Sequence, residues 1–268
     1  MNDLHSKRLF LGFEVQAPWP DLFPQGRLVP EKSRHLTLVF LGNQNPKYLN
    51  TILPNFPLPK FSVGLSGNFS HCLFLPSQHP NVVAWEGIFW DRSIDFIRYY
   101  QKSRDWLIEK NILTEKQEHW LCHTTIARKP FIEKKWRDAF IKIPFIITQL
   151  HLYESLPNLN YQPIWTHPFL LPFEEFEHTA DIAYKIRGDN PNQIFLNAFC
   201  ALCWKFPKLL SFIPREIQFK NLDEIIINLN ECVGFADAEY GCPFKAISFH
   251  GQLVKKEKHL EWEMIVDV

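Results

Sequence analysis

"RHLTLVFLG" (residues 34–42) and "CHTTIARKP" (residues 122–130) share a pattern. Each holds His-x-Thr: His35 with Thr37, and His123 with Thr125. Both runs are rich in apolar and β-branched residues, and each ends on a breaker, Gly42-Asn43 or Pro130. They read as short strands. Residues two apart on a strand point to the same face, so each segment presents one imidazole and one hydroxyl together. Side by side, the two strands would bring two His and two Thr to one cleft. With 11 His and 8 Thr in 268 residues, random placement yields fewer than one such pair. Both pairs also sit in apolar runs, where an unpaired imidazole is costly.

Working outward, "RLFLGFEV" (8–15) is a strand, and so is "IITQLHLYES" (146–155). "FSVGLSGNFS" (61–70) and "CLFLPS" (72–77) read as two strands paired around a short turn, followed by "VVAWEG" (82–87). Residues 91–110 show a helical period that places Ile94, Ile97, Trp106 and Leu107 near one face. A basic stretch follows the second motif at 132–137. Strands and helices mix without strict β-α alternation, which predicts an α+β fold.

The chemistry that uses this set of side chains is phosphodiester cleavage. One imidazole takes a proton from the attacking water, and the other gives one to the leaving oxygen. Histidine suits both tasks because its ordinary pKa lies near neutrality. The Thr hydroxyls and Arg128, three residues past Thr125, can bind phosphate oxygens. The plain alternative is a pair of edge-strand histidines satisfied by backbone carbonyls.

Composition frames these readings. Hydrophobic residues make up 46% and aromatics 15%, enough for a packed core. Lys+Arg and Asp+Glu both number 29, whereas a general polyanion binder is usually basic, so any nucleic-acid contact should be local. The six Cys (72, 122, 200, 203, 232, 242) follow no small-scaffold spacing and read as reduced thiols in a cytoplasmic protein. The N-terminus lacks the apolar core and cleavage site of a signal peptide, and no stretch reads as a membrane span.

Past Pro172 the pattern changes. Ile182, Tyr184 and Ile186 alternate with Ala183, Lys185 and Arg187, and Gly188 closes the strand. Asp189 or Asn190 caps a helix with Pro191 in its first turn, and Ile194, Phe195, Ala198, Phe199 and Ala201 form its apolar stripe. Cys200-x-x-Cys203 lies inside that helix; a zinc site needs two more ligands, and no second Cys-x-x-Cys supplies them, so buried thiols are expected. "LEWEMIVDV" (260–268) alternates as a terminal strand. Asp267, the terminal carboxylate of Val268 and Asp181 would together offer oxygens to a hard cation.

"HLTLVFLG" and "HTTIARKP" resemble the paired motifs of the two-histidine phosphoesterases, and most of all the RNA 2′,3′-cyclic phosphodiesterases, the LigT-like or 2′-5′ RNA ligase group. The resemblance spans about residues 7–170 and takes in "KRLFLGFEV", "LFLPSQHPNVVAWEG" and "LHLYESLPNLNYQPIW". It implies a bilobal, pseudo-symmetric α+β fold with one motif per lobe, occupying residues 1–171. It also implies hydrolysis of RNA 2′,3′-cyclic phosphate ends to 2′-phosphates without a metal. His35 would be the proton donor and His123 the proton acceptor, with Thr37, Thr125 and Arg128 on the phosphate.

"FEEFEHTADIAYKIRG", "FKAISFHG" and the final "EMIVDV" are similar to the start, late motif and end of archeases, small proteins that assist RtcB-type RNA ligases. That resemblance implies a shortened α+β archease-like domain over 172–268, lacking a hairpin between "DEIIINLNECVGF" and "CPFKAISFHG". It further implies Ca²⁺ on Asp181, Asp267 and Val268. Together the two halves suggest processing of RNA 3′ ends, from tRNA or other RNA, in the cytoplasm. Two alternatives stand beside this: an accessory activator of an RtcB-type ligase, or a phosphodiesterase acting on small cyclic nucleotides.

Overall fold

The computed structural model describes residues 6–92, 94–114, 120–177 and 181–268. In chain order the first part comprises β1 (Lys7–Gln16), β2 (Arg27–Leu28), β3 (His35–Gln44), α1 (Pro46–Ile52), β4 (Ser66–Leu75), β5 (Val82–Phe89), α2 (Phe96–Glu109), β6 (His123–Arg128), α3 (Glu133–Asp138), β7 (Pro144–Ser155) and β8 (Tyr161–Pro168). The second part comprises β9 (Phe173–Phe176), β10 (Ile182–Gly188), α4 (Pro191–Lys205), α5 (Leu222–Tyr240), β11 (Ala246–Ile247), β12 (Val254–Lys255) and β13 (Leu260–Asp267). Strands and helices are mixed, as an α+β fold requires.

Six strands close on themselves in the order β1-β3-β6-β5-β4-β7, because β7 also pairs with β1. β8 extends the ring from β7, and β2 pairs with β6. The two motif strands are therefore neighbours in one hydrogen-bonded sheet. Leu9, Leu11 and Phe13 of β1 enter the core with Phe69, Trp85, Phe145 and Ile147, while Phe10 lies outside that cluster. This alternation is why β1 serves two purposes: odd positions build the core, and even positions face the cleft.

Two expectations change. Residues 61–77 do not fold back on themselves. Ser66–Leu75 is one strand with a register shift between Phe69 and His71, and its hairpin partner is β5. Pairing with β5 continues on both sides of His71, so the polar run there marks a bulge within one strand and not a turn. The helix begins at Phe96, where Asp95 accepts a hydrogen bond from the Arg98 amide, and it buries Phe96, Tyr100, Ser103 and Leu107. Ile97, expected on the inner face, is 71% exposed. The cap sets the start, and the start sets the face.

In the second part, β9-β10-β13-β11 form a sheet with β12 at the edge of β13. Every residue of α4 from Gln193 to Cys203 is buried. A helix buried all round needs neighbours on both sides, and α4 packs on β10 and β13 as well as on β4 and β7. Ser62 bonds the Asp189 carboxylate, Gln193 Nε2 donates to Asp91 Oδ2 (2.8 Å), and Ser66 Oγ donates to Asn197 Oδ1 (2.7 Å). Gln193 and Asn197 lie one turn apart on α4, and Asp189 sits just ahead of its Asn190 cap, so the start of this helix fastens the second sheet to the first. The segment "DEIIINLNECVGF" lies in α5, capped by Asn221 and ended by Gly241 at φ 69°. Among the described residues no helix is long and apolar enough to cross a membrane.

Candidate active site

β3 and β6 meet antiparallel, with Leu36 opposite Thr124. One step each way in that register sets His35 opposite Thr125 and Thr37 opposite His123. The two motifs thus face each other about a local two-fold axis. Gly12 of β1 lies beside them: a Cβ there would sit 3.0 Å from Leu36 O and 3.5 Å from the His35 ring. Glycine leaves that space to the imidazole.

Both imidazoles are anchored the same way. His35 Nδ1 lies 2.8 Å from Ser33 O, and His123 Nδ1 lies 2.8 Å from Leu121 O. A carbonyl only accepts, so Nδ1 carries the hydrogen in each ring and Nε2 is left for the cleft. The backbone-carbonyl contacts of the plain alternative are present, and they fix the tautomer that acid–base work needs. Burial pushes the His35 pKa down to about 4 against the pull of the Ser33 carbonyl, and positive charge on His123 or His151 lowers it further. Burial also lowers His123, with the Leu121 carbonyl opposing.

Arg128 is brought to the same face by a bulge. Thr125 pairs with Ala84 but Ala127 pairs with Val83, which leaves Ile126 as the extra residue. The bulge breaks the two-residue alternation, so position 128 joins 123 and 125. β3 does the same: Gly12 pairs with Thr37 and Leu11 with Val39, leaving Leu38 extra. Phe40 is thereby the counterpart of Arg128. His35, Thr37, Phe40, His123, Thr125 and Arg128 all line one cavity of about 410 Å³. Arg128 Nε is buried without a hydrogen-bond partner, a state a bound acceptor would relieve.

Sequence reading missed Arg8, Asn81 and Tyr161, which also line this cavity. Arg8 is the second residue of β1, and its position two before Phe10 is the signal that places it on the cleft face. Tyr161 meets the His35 ring edge-on at 4.7 Å; nothing local in "LNYQPIW" marks that contact.

The three residues expected to hold Ca²⁺ lie at the far sheet. Asp181 and Asp267 fall opposite each other one step beyond the Ile182–Val266 pair. The Val268 carbonyl oxygen accepts from Lys245 Nζ at 2.5 Å. Among the described residues no three His, Cys, Asp or Glu side chains stand together to hold a metal ion. Cys200 and Cys203 are fully buried, and burial raises both thiols well above their ordinary range.

No family model matches this chain, and no curated protein matches it. Among solved structures it is similar to E. coli LigT complexed with 3′-AMP, at 19% identity and a TM-score of 0.41, over 61% of this chain and 98% of that one. It is also similar to TT0787 of Thermus thermophilus, at 17% identity and a TM-score of 0.44, over 60% of this chain and 97% of that one. A structure described as a phosphoesterase aligns at 19% identity and a TM-score of 0.41, over 62% of this chain and 99% of that one.

Proposed function

We propose that this protein hydrolyses terminal 2′,3′-cyclic phosphates of RNA to 2′-phosphates, without a metal. The observation that carries the reading is the convergence on one cavity of two tautomer-fixed imidazoles, two hydroxyls and Arg128, whose Nε is buried without a hydrogen-bond partner. Water attacks phosphorus, forming a P–O bond and losing its proton to one imidazole. The P–O3′ bond breaks, and the leaving oxygen takes a proton from the other imidazole. Thr37, Thr125 and Arg128 hold the non-bridging oxygens, on which charge grows in the transition state.

By resemblance His35 is the donor and His123 the acceptor. The burial of His35 favours the opposite assignment, since a ring held low is neutral at pH 7 and ready to accept. A phosphate anion in the cleft would raise both rings, so the acid becomes charged as substrate binds.

The proposal extends to an archease-like second half acting with an RtcB-type ligase on the same RNA ends. A Ca²⁺ ion at Asp181, Asp267 and Val268 would have to displace the Lys245 ammonium. The decisive assay incubates the chain with an RNA oligonucleotide bearing a 2′,3′-cyclic phosphate, with EDTA present. A 2′-phosphate product supports the reading, and no product at any enzyme concentration sinks it. Activation of a ligase without turnover would favour the accessory reading. Preference for cyclic mononucleotides in competition would favour the small-substrate one.

A further inference from the structure

The cavity accounts for the front of His35 and leaves its rear unexplained. Against the ring stand Phe10, which also lines the cavity, at 4.6 Å and Tyr153, which does not, at 5.3 Å between ring centroids. Tyr153 in turn meets His151 edge-on at 4.9 Å. His151 is only 4% exposed, and both of its nitrogens are engaged: Nδ1 lies 2.8 Å from Thr166 Oγ1, and Nε2 lies 3.4 Å from Glu14 Oε2. Glu14 is itself the β1 partner of His35 in the strand register. The path therefore closes on itself: His35, Tyr153, His151, Glu14, and back to the strand beside His35. Nothing comparable backs His123, which makes no ring contact among the described residues.

We propose that Glu14, His151 and Tyr153 form a positioning unit that holds the His35 ring at its working angle and controls the charge behind it. This rests on the phosphodiesterase reading above. A single hydrogen bond to Ser33 O fixes one nitrogen but leaves the ring free to swing about it. Tyr153 removes that freedom by packing on the ring, and His151 holds Tyr153 in turn. Glu14, once ionised, only accepts, so the His151 hydrogen on Nε2 points at it, while the Thr166 hydroxyl serves Nδ1 in either role. The His151 hydrogen bond is the largest influence holding the Glu14 carboxyl below its ordinary range, so the unit stays fixed through neutral pH. The groups facing His35 are Glu14 from β1, His123 from β6, His151 and Tyr153 from β7, and Tyr161 from β8, with Arg8 and Arg128 across the cavity.

The test follows the His35 imidazole by NMR through a pH titration of the full chain, and pairs it with the pH–rate profile on a cyclic-phosphate oligonucleotide. His151→Gln should move the His35 midpoint upward and shift the matching limb of the rate profile. Tyr153→Leu should lower kcat more than it changes KM, and Tyr153→Phe should rescue it. Should His151→Gln not fold, His151→Asn removes the same charge in a shorter side chain and carries the same expectation. An unchanged His35 midpoint in a folded variant overturns the proposal, as does equal loss in Tyr153→Leu and Tyr153→Phe. If the wild-type chain hydrolyses no cyclic phosphate, the parent reading fails, and the titration still decides this one.

Discussion

On β3 the order is His35, Thr37, a bulge at Leu38, then Phe40; on β6 it is His123, Thr125, a bulge at Ile126, then Arg128. Both imidazoles rest on the carbonyl two residues before them. The surroundings differ. His35 is boxed by Phe10, Tyr153 and Tyr161, and Phe40 lies 57% exposed at the cavity. β6 offers instead a cation with an unpaired buried nitrogen. The backbone thus supplies two equal half-sites, and the packing makes them unequal. Under the proposed reaction, the depth at which each ring is buried, and not the motif, would separate acid from base.

The largest effect should come from breaking either half. His35→Ala and His123→Ala should each lower kcat by roughly 10²–10⁴-fold, read from initial rates in EDTA. Comparable losses support the paired site, and a loss confined to one ring would mean that the two-fold likeness is only geometric.

The next effect sharpens the contrast in burial. The folded pKa of His35 is about 4, below its unfolded value, so between these two values the unfolded state binds more protons. Stability from this group is full above the unfolded pKa and is lost as pH falls toward the folded one, by roughly 3 kcal/mol in total. Urea unfolding at neutral and acid pH should show a smaller loss in His35→Gln than in the wild type. An equal loss would show that the ring is not held as deeply as the packing implies.

Arg128 and Phe40 occupy matching positions and should part company on phosphate. Arg128→Ala should weaken inhibition by inorganic phosphate by about 1.5–3 kcal/mol, the worth of a hydrogen bond to a charged group. Phe40→Ala should leave phosphate inhibition nearly unchanged. Equal effects would remove the functional difference between the half-sites. The smallest effect concerns the far sheet: Lys245→Ala should cost roughly 0–1 kcal/mol and be partly offset by millimolar Ca²⁺ in thermal melts. A melt unmoved by Ca²⁺ in that variant would rule out the cation proposal at Asp181, Asp267 and Val268.

The motifs were legible because His-x-Thr states its own geometry on a strand. The terminal strand and α4 were legible for the same reason, through alternation at Trp262, Met264 and Val266 and through the Asn190-Pro191 start. What escaped was whatever depends on a break in period. Phe40 escaped altogether, and Arg128 was legible without the reason for its placement: both share faces with their histidines only because one extra residue is inserted, and apolar Leu38 and Ile126 do not announce a bulge. α5 escaped because its apolar residues mix with Asn and Glu, although Asn221 and Gly241 mark both ends. The Tyr161 and His151 contacts join strands far apart in sequence and have no local signature.

Under the proposed function the two histidines act as one device on one phosphate. This is tested most directly by the rates of His35→Ala, His123→Ala and the double variant on the same cyclic-phosphate oligonucleotide. A unit predicts that the double variant is scarcely slower than either single one, because removing one member already disables the other. Losses that multiply, or a single variant that keeps wild-type rate, would contradict it.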